Sequence, residues 1–145
     1  PIASASRMKK SLALVLLSFV LSSHTCNKTD AATMASLMNT QWNLQSLGGS
    51  AIQLPSGAKA PWLQLVDGSS LVGFGGCNKL MGSYTTEGAH IGFTNLGGTK
   101  MFCENTMELE RKFTSALGTV DGYTIDGSTL KLMQGGSEVV VLVKQ

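Results

Sequence analysis

Glycine-bearing turn dipeptides, each set between short runs of alternating apolar and polar residues, constrain this chain more than any other feature. Asp67-Gly68 stands between residues 62–66 and 71–74, and Glu87-Gly88 between residues 83–86 and 90–93. Asp126-Gly127 stands between residues 123–125 and 130–133. Gly48-Gly49 closes residues 40–47, and Gly135-Gly136 leads into residues 138–143. A two-residue hairpin turn needs positive φ, which glycine adopts at no steric cost. The flanking runs alternate as half-buried strands do, with Trp42 and Leu44 on one face and Ile91 and Phe93 on another. The last run, residues 139–143, is continuously apolar and reads as a strand buried on both sides.

One stretch reads as helix, residues 105–118. Asn105 is placed to cap it, with Glu108 as the capping-box partner and Gly118 as the stop. Met107, Phe113, Ala116 and Leu117 make its apolar face. Glu110 falls near that face and reads as a rim carboxylate beside Arg111 or Lys112; the alternative is a buried acid with a special partner. About seven or eight short strands expose edges that must be closed or covered. The predicted fold is therefore mainly β with one α-helix: a small mixed or antiparallel barrel, the helix covering one end.

The chain has 145 residues, 43% hydrophobic and 14% charged, which fits one globular domain and excludes a disordered chain. The net charge of +2 is misleading, because Arg7, Lys9 and Lys10 precede the domain. From Cys26 onward eight basic residues face nine acidic ones. Nucleic-acid binding needs clustered cations and is not expected.

The N-terminal stretch reads as an export leader. Residues 1–7 form an upstream extension. Met8-Lys9-Lys10 is a basic start, residues 11–21 are an apolar run, and small polar residues lead to Cys26. That run is shorter than the roughly 20 residues a membrane span needs. A signal peptide over residues 8–25 is expected, with Cys26 as the lipidated residue of an envelope lipoprotein. His24 and Thr25 depart from the small residues usual before such a cysteine, so release without a lipid is the alternative. Residues 26–39 read as a tether and residues 40–145 as the domain.

No catalytic constellation stands out. Cys77 and Cys103 are the domain's only cysteines. In an oxidising envelope an even pair points to a disulfide; two buried free thiols are the alternative. The bridge would close a loop of 26 residues and stabilise by roughly 3 kcal/mol. No C-x-x-C motif supports redox catalysis, and His90 with two lone cysteines lacks zinc-site spacing. The glycine-rich stretches at residues 73–76 and 97–98 lack the lysine and helix of a phosphate loop. Glu108 and Glu110, two apart on a helix, diverge and cannot share acid–base work. Asn78 reads as a turn residue bonding its own backbone. No cofactor, no metal and no catalytic residue is expected.

Residues 75–84, Gly-Gly-Cys-Asn-Lys-Leu-Met-Gly-Ser-Tyr, resemble the G-C-N-x-[aromatic]-x-G-x-Y signature of the META domain (HslJ-like) family. In this chain that signature comprises Gly76, Cys77, Asn78, Gly82 and Tyr84. Thr99, Met101 and Cys103 match the family's T-x-M-x-C element. Glu110, Phe113 and Leu117 match its E-x-x-F-x-x-x-L helix, and Trp42 its opening W-x-L. Leu80 stands where an aromatic is usual and Phe102 where a small residue is usual; both read as core-packing adjustments. The resemblance implies a compact β-barrel with one helix, often behind a lipoprotein leader, and a link to stress tolerance. It implies no shared enzymatic activity.

Three functions compete. The first is a non-catalytic envelope domain that binds a protein partner as a monomer. The second is a small-ligand carrier, with Trp62, Phe74 and Phe93 lining the barrel. The third is an inhibitor of a secreted hydrolase, acting through the loop at residues 50–60 with Pro55 and Gly57.

Overall fold

The computed structural model describes residues 28–66 and 68–145. The upstream extension, the leader, Cys26 and Asp67 lie outside the described residues. The elements are α1 (Lys28–Leu37), β1 (Trp42–Leu47), β2 (Ser50–Ala51), β3 (Trp62–Val66), β4 (Ser70–Phe74) and β5 (Lys79–Glu87). They continue with β6 (His90–Gly98), α2 (Met107–Leu117), β7 (Gly122–Asp126), β8 (Thr129–Gln134) and β9 (Ser137–Lys144).

The strands form a single antiparallel sheet in the order β2-β1-β3-β4-β5-β6-β7-β8-β9, and β1 also pairs with β9. That last pairing turns the sheet into a ring, as predicted. The ring is closed from Trp42↔Lys144 through Leu47↔Val140, with a bulge between Leu44 and Ser46. The turn glycines behave as their dipeptides require: Gly88 and Gly127 sit at φ 58° and 57°.

Alternate residues of most strands point inward. Leu63, Leu65, Leu130, Leu132, Val140 and Leu142 are fully buried, each contributing about 2 kcal/mol of apolar burial. Two of the aromatics expected to line a cavity face outward instead. Trp62 and Phe74, paired across β3 and β4, are only half-buried, while Phe93 is inside. Side chains of Trp42, Phe113 and the leucines fill the interior. β9 also departs from expectation: only Val140 and Leu142 are buried, and their apolar neighbours are half-exposed. A barrel strand has one inner and one outer face, so it cannot be buried twice.

Most of the segment read as a tether, its residues 28–37, is helical. α1 runs Lys28–Leu37 and stops at Asn39, whose φ of 53° breaks the helix. Leu37 is fully buried, and its carbonyl accepts the Trp42 Nε1–H at 3.2 Å. Met34 and Met38 pack on the core, where the Tyr123 and Tyr84 hydroxyls donate to their sulfurs at 3.4 and 2.9 Å. The folded unit thus begins before residue 40. Among the described residues, no helix is long and apolar enough to cross a membrane.

α2 matches the predicted helix but not its cap. Thr106 precedes it with no side-chain cap bond, and the Asn105–Glu108 capping box does not form. Glu108 turns instead to Arg111 at 2.8 Å and Lys112 at 3.6 Å. Phe113 and Leu117, one turn apart, are fully buried in the core.

Candidate functional site

The turn joining β4 to β5 carries a dense set of side-chain hydrogen bonds. Gly76 sits at φ 118°, which a side chain would resist, and the turn directs the Cys77 and Asn78 N–H groups to one side. Both donate to Glu110 Oε2, at 2.9 and 2.6 Å. Consecutive N–H groups of this kind form a concave anion site, and the protein fills it with its own carboxylate. A Cβ on Gly75 would lie 2.6 Å from Glu110 Cγ, so only glycine lets the carboxylate in. Glu110 therefore does not pair with Arg111 or Lys112 as a rim carboxylate would; it is half-buried and has the special partner of the alternative reading in the Cys77–Asn78 turn. Arg111 and Lys112 serve Glu108, and the Arg111 hydrogen bond holds the Glu108 carboxyl below the usual range.

Asn78 is 5% exposed, and its amide makes every bond it can. Nδ2 donates to Glu110 Oε1 at 2.8 Å and to the Met101 carbonyl at 3.1 Å. Oδ1 accepts from the Thr99 hydroxyl at 2.8 Å and the Met101 N–H at 2.6 Å. Asn78 is structural, as read, but it ties three segments together rather than bonding its own backbone. Cys77 and Cys103 form the disulfide favoured from the sequence, with Cα atoms 5.8 Å apart. It fastens the same turn to the segment before α2.

Packing explains most of the remaining motif residues; Met101 serves through its backbone bonds to Asn78, with its side chain exposed. Trp42, Tyr84, Phe113 and Leu117 are buried in the core. A Cβ on Gly82 would meet Leu96 Cδ2 at 2.9 Å. Thr99 Oγ1 also accepts the Lys79 N–H at 3.1 Å. Leu80 is a core residue, as expected of a packing adjustment. Phe102 is not: it is 80% exposed.

Phe102 marks a groove of about 760 Å³ beside the turn. One wall is the end of β6, with Leu96, Gly97 and Gly98; the other is α2, with Met107, Arg111 and Thr114. Met101 (55% exposed), Phe102 and Met107 give it apolar surface, three of the six exposed large hydrophobics among the described residues. Lys79, Lys100 and Glu104 add charge. Sequence reasoning missed this groove. The one available signal was Phe102 in a place where the family has a small residue.

A ring of antiparallel strands, plugged by one helix and pinned by a disulfide to a glycine turn, defines a class of small β-barrel domain. A META domain model matches residues 35–145, and the chain belongs to that family. The match begins inside α1, in agreement with the burial of Leu37. The chain is similar to the NMR structure of a protein from Burkholderia xenovorans, at 29% identity and a TM-score of 0.62, covering 80% of this chain and 88% of that one. A second NMR structure shares the fold at 17% identity and a TM-score of 0.59, covering 75% and 92%. No curated protein matches the chain significantly.

Proposed function

We propose that this META-domain chain is an exported, non-catalytic protein of the bacterial envelope that binds a protein partner through the groove at Phe102. The observation that carries this reading is the contrast in exposure. Large apolar side chains cluster on one surface of a domain whose other apolar residues are mostly buried, and such clusters mark interaction sites. Export is supported by the basic start and apolar run of residues 8–21 ahead of Cys26. The motif residues give no support to catalysis, because each is occupied by a packing or hydrogen-bonding role. The filled interior does not favour a small-ligand carrier. A stress role is what the family resemblance implies, and partner binding under stress is compatible with it.

The test is made in a bacterial host expressing the chain with its leader. A photo-crosslinking residue replaces Phe102 in one strain and Leu54, an exposed residue outside the groove, in another. The expected result is a processed protein in the envelope fraction, crosslinked to a defined protein through position 102 only. An unprocessed cytoplasmic chain, or identical adducts from both positions, would contradict the proposal.

A further inference from the structure

The ring of strands has a gap. β6 and β7 pair only through His90 and Gly122, the first residue of each. Antiparallel strands joined at their first residues run apart from there. The Ile91 N–H still reaches the Asp121 carbonyl at 3.4 Å. Beyond it, β6 has no backbone partner on that side among the described residues, while its other side stays paired with β5 as far as Gly98. An open strand edge exposes N–H and C=O groups that another backbone can satisfy. α2 lies across the gap, and the groove is the space left between helix and edge.

Two features prepare this edge for a second chain. Gly97 has no positive φ, and a Cβ built on it would meet nothing within 4 Å. Neither the backbone nor the packing requires glycine there. A strand glycine of this kind marks a bulge or a place where a ligand or another backbone can approach closely, and at Gly97 the two coincide. A β-bulge precedes it, with Asn95 at φ 53° and the β5–β6 register shifted between Met81 and Ser83. Bulges re-aim the residues that follow them and concentrate at sheet edges.

The charges select the occupant. Glu108 is neutralised by Arg111 and Lys112, and Glu110 is engaged by the Cys77–Asn78 turn. Lys79, Lys100 and Glu104, in the same groove, have no ion pair among the described residues, so two free lysines outnumber one free carboxylate there. The lysines are left to meet an anion beside apolar Met101, Phe102 and Met107.

We propose that the open edge of β6 binds an extended peptide segment of a partner protein. The segment adds as a strand between β6 and α2, with apolar side chains at alternate positions and an acidic residue beside Lys79 and Lys100. This rests on the partner-binding reading and names the partner's chemistry. Backbone bonds to the edge supply affinity, and the flanking side chains supply selectivity. The lysines reject basic segments.

The test selects random linear peptides displayed against the purified, disulfide-bonded protein. The best one is then titrated into isotope-labelled protein and followed by NMR. The expected winners alternate apolar residues, carry at least one carboxylate, and shift the amides of Leu96, Gly97 and Gly98. N-methylation of alternate peptide amides weakens binding by about tenfold or more, through lost backbone bonds. Gly97→Val does the same with no fall in melting temperature, and Lys100→Glu turns the preference away from acidic peptides. Failure to select a peptide, winners that map elsewhere, or binding indifferent to N-methylation would overturn strand addition. If Phe102 still crosslinks an envelope protein in that case, the partner-binding reading survives and only the extended-peptide chemistry is lost.

Discussion

The β4–β5 turn and the β6 edge lie side by side and are opposites in hydrogen bonding. At the turn, Asn78 and Glu110 make all their contacts within the protein, and even the anion-binding N–H groups are spent on an internal carboxylate. At the edge, the β6 backbone beyond Ile91 has no partner on its β7 side among the described residues, and Phe102 stands 80% exposed beside it. The family signature maps to the saturated region. A motif can therefore mark how a fold is fastened while the surface that meets other molecules lies next to it, with Met101 belonging to both.

Breaking the saturated region has the largest expected effect. Asn78→Ala leaves the Met101 N–H and one Glu110 oxygen unpaired and opens a small void; about 4 kcal/mol of stability should be lost in urea unfolding. A loss under 1 kcal/mol would show that the network is dispensable. Replacing Cys77 and Cys103 together by serine frees a 26-residue loop and should cost about 3 kcal/mol. Reducing agent should reproduce that loss in the native protein and leave the double variant unaffected. Gly75→Ala drives a methyl into Glu110 and should cost about 2 kcal/mol. Its counterpart Gly97→Ala meets open space and should change stability by no more than about 1 kcal/mol, in the stabilising direction. Equal losses at the two glycines would erase the contrast between the regions.

The smallest effect is at Glu108. Its carboxyl is held below the usual value of 4.5 in the folded protein, first by the Arg111 hydrogen bond. A depressed folded value contributes stability that is present above the unfolded value and lost as pH falls through the folded one. Both partners are exposed, so the contribution is minor. Glu108→Gln should lower the melting temperature slightly at neutral pH, and the difference from the native protein should vanish in acid.

Local chemistry explains what could be read in the sequence. The hairpins were legible because positive φ all but requires glycine at each turn. Phe113 and Leu117 were legible from helical spacing. Glu110 was misread because its sequence neighbours are cations, whereas its partner Asn78 lies 32 residues upstream and nothing near Glu110 announces it. α1 was missed because its small and polar residues carry almost no apolar stripe; Leu37 docks through one side chain at the helix end. The groove was missed because an unpaired edge is a property of the ring: β6 and β7 each look like an ordinary strand alone.

Ring closure has a consequence for how the molecule comes into being. The final hydrogen bond between the chain's two arms runs from the Gln145 N–H to the Gln41 carbonyl at 3.1 Å, and β1 is zipped to β9 along most of its length. Such pairing spans nearly the whole domain, and contacts that distant in sequence make folding slow. A chain synthesised or threaded through a pore from its N-terminus holds β1 unpaired on that side until β9 arrives. The waiting strand is exposed to aggregation for the whole of that interval. The same adjacency of first and last strands means that a short linker could join them and new ends be cut at an exposed hairpin. A permuted chain in which the linker leads from β9 into α1 and then β1 should fold faster than the native order.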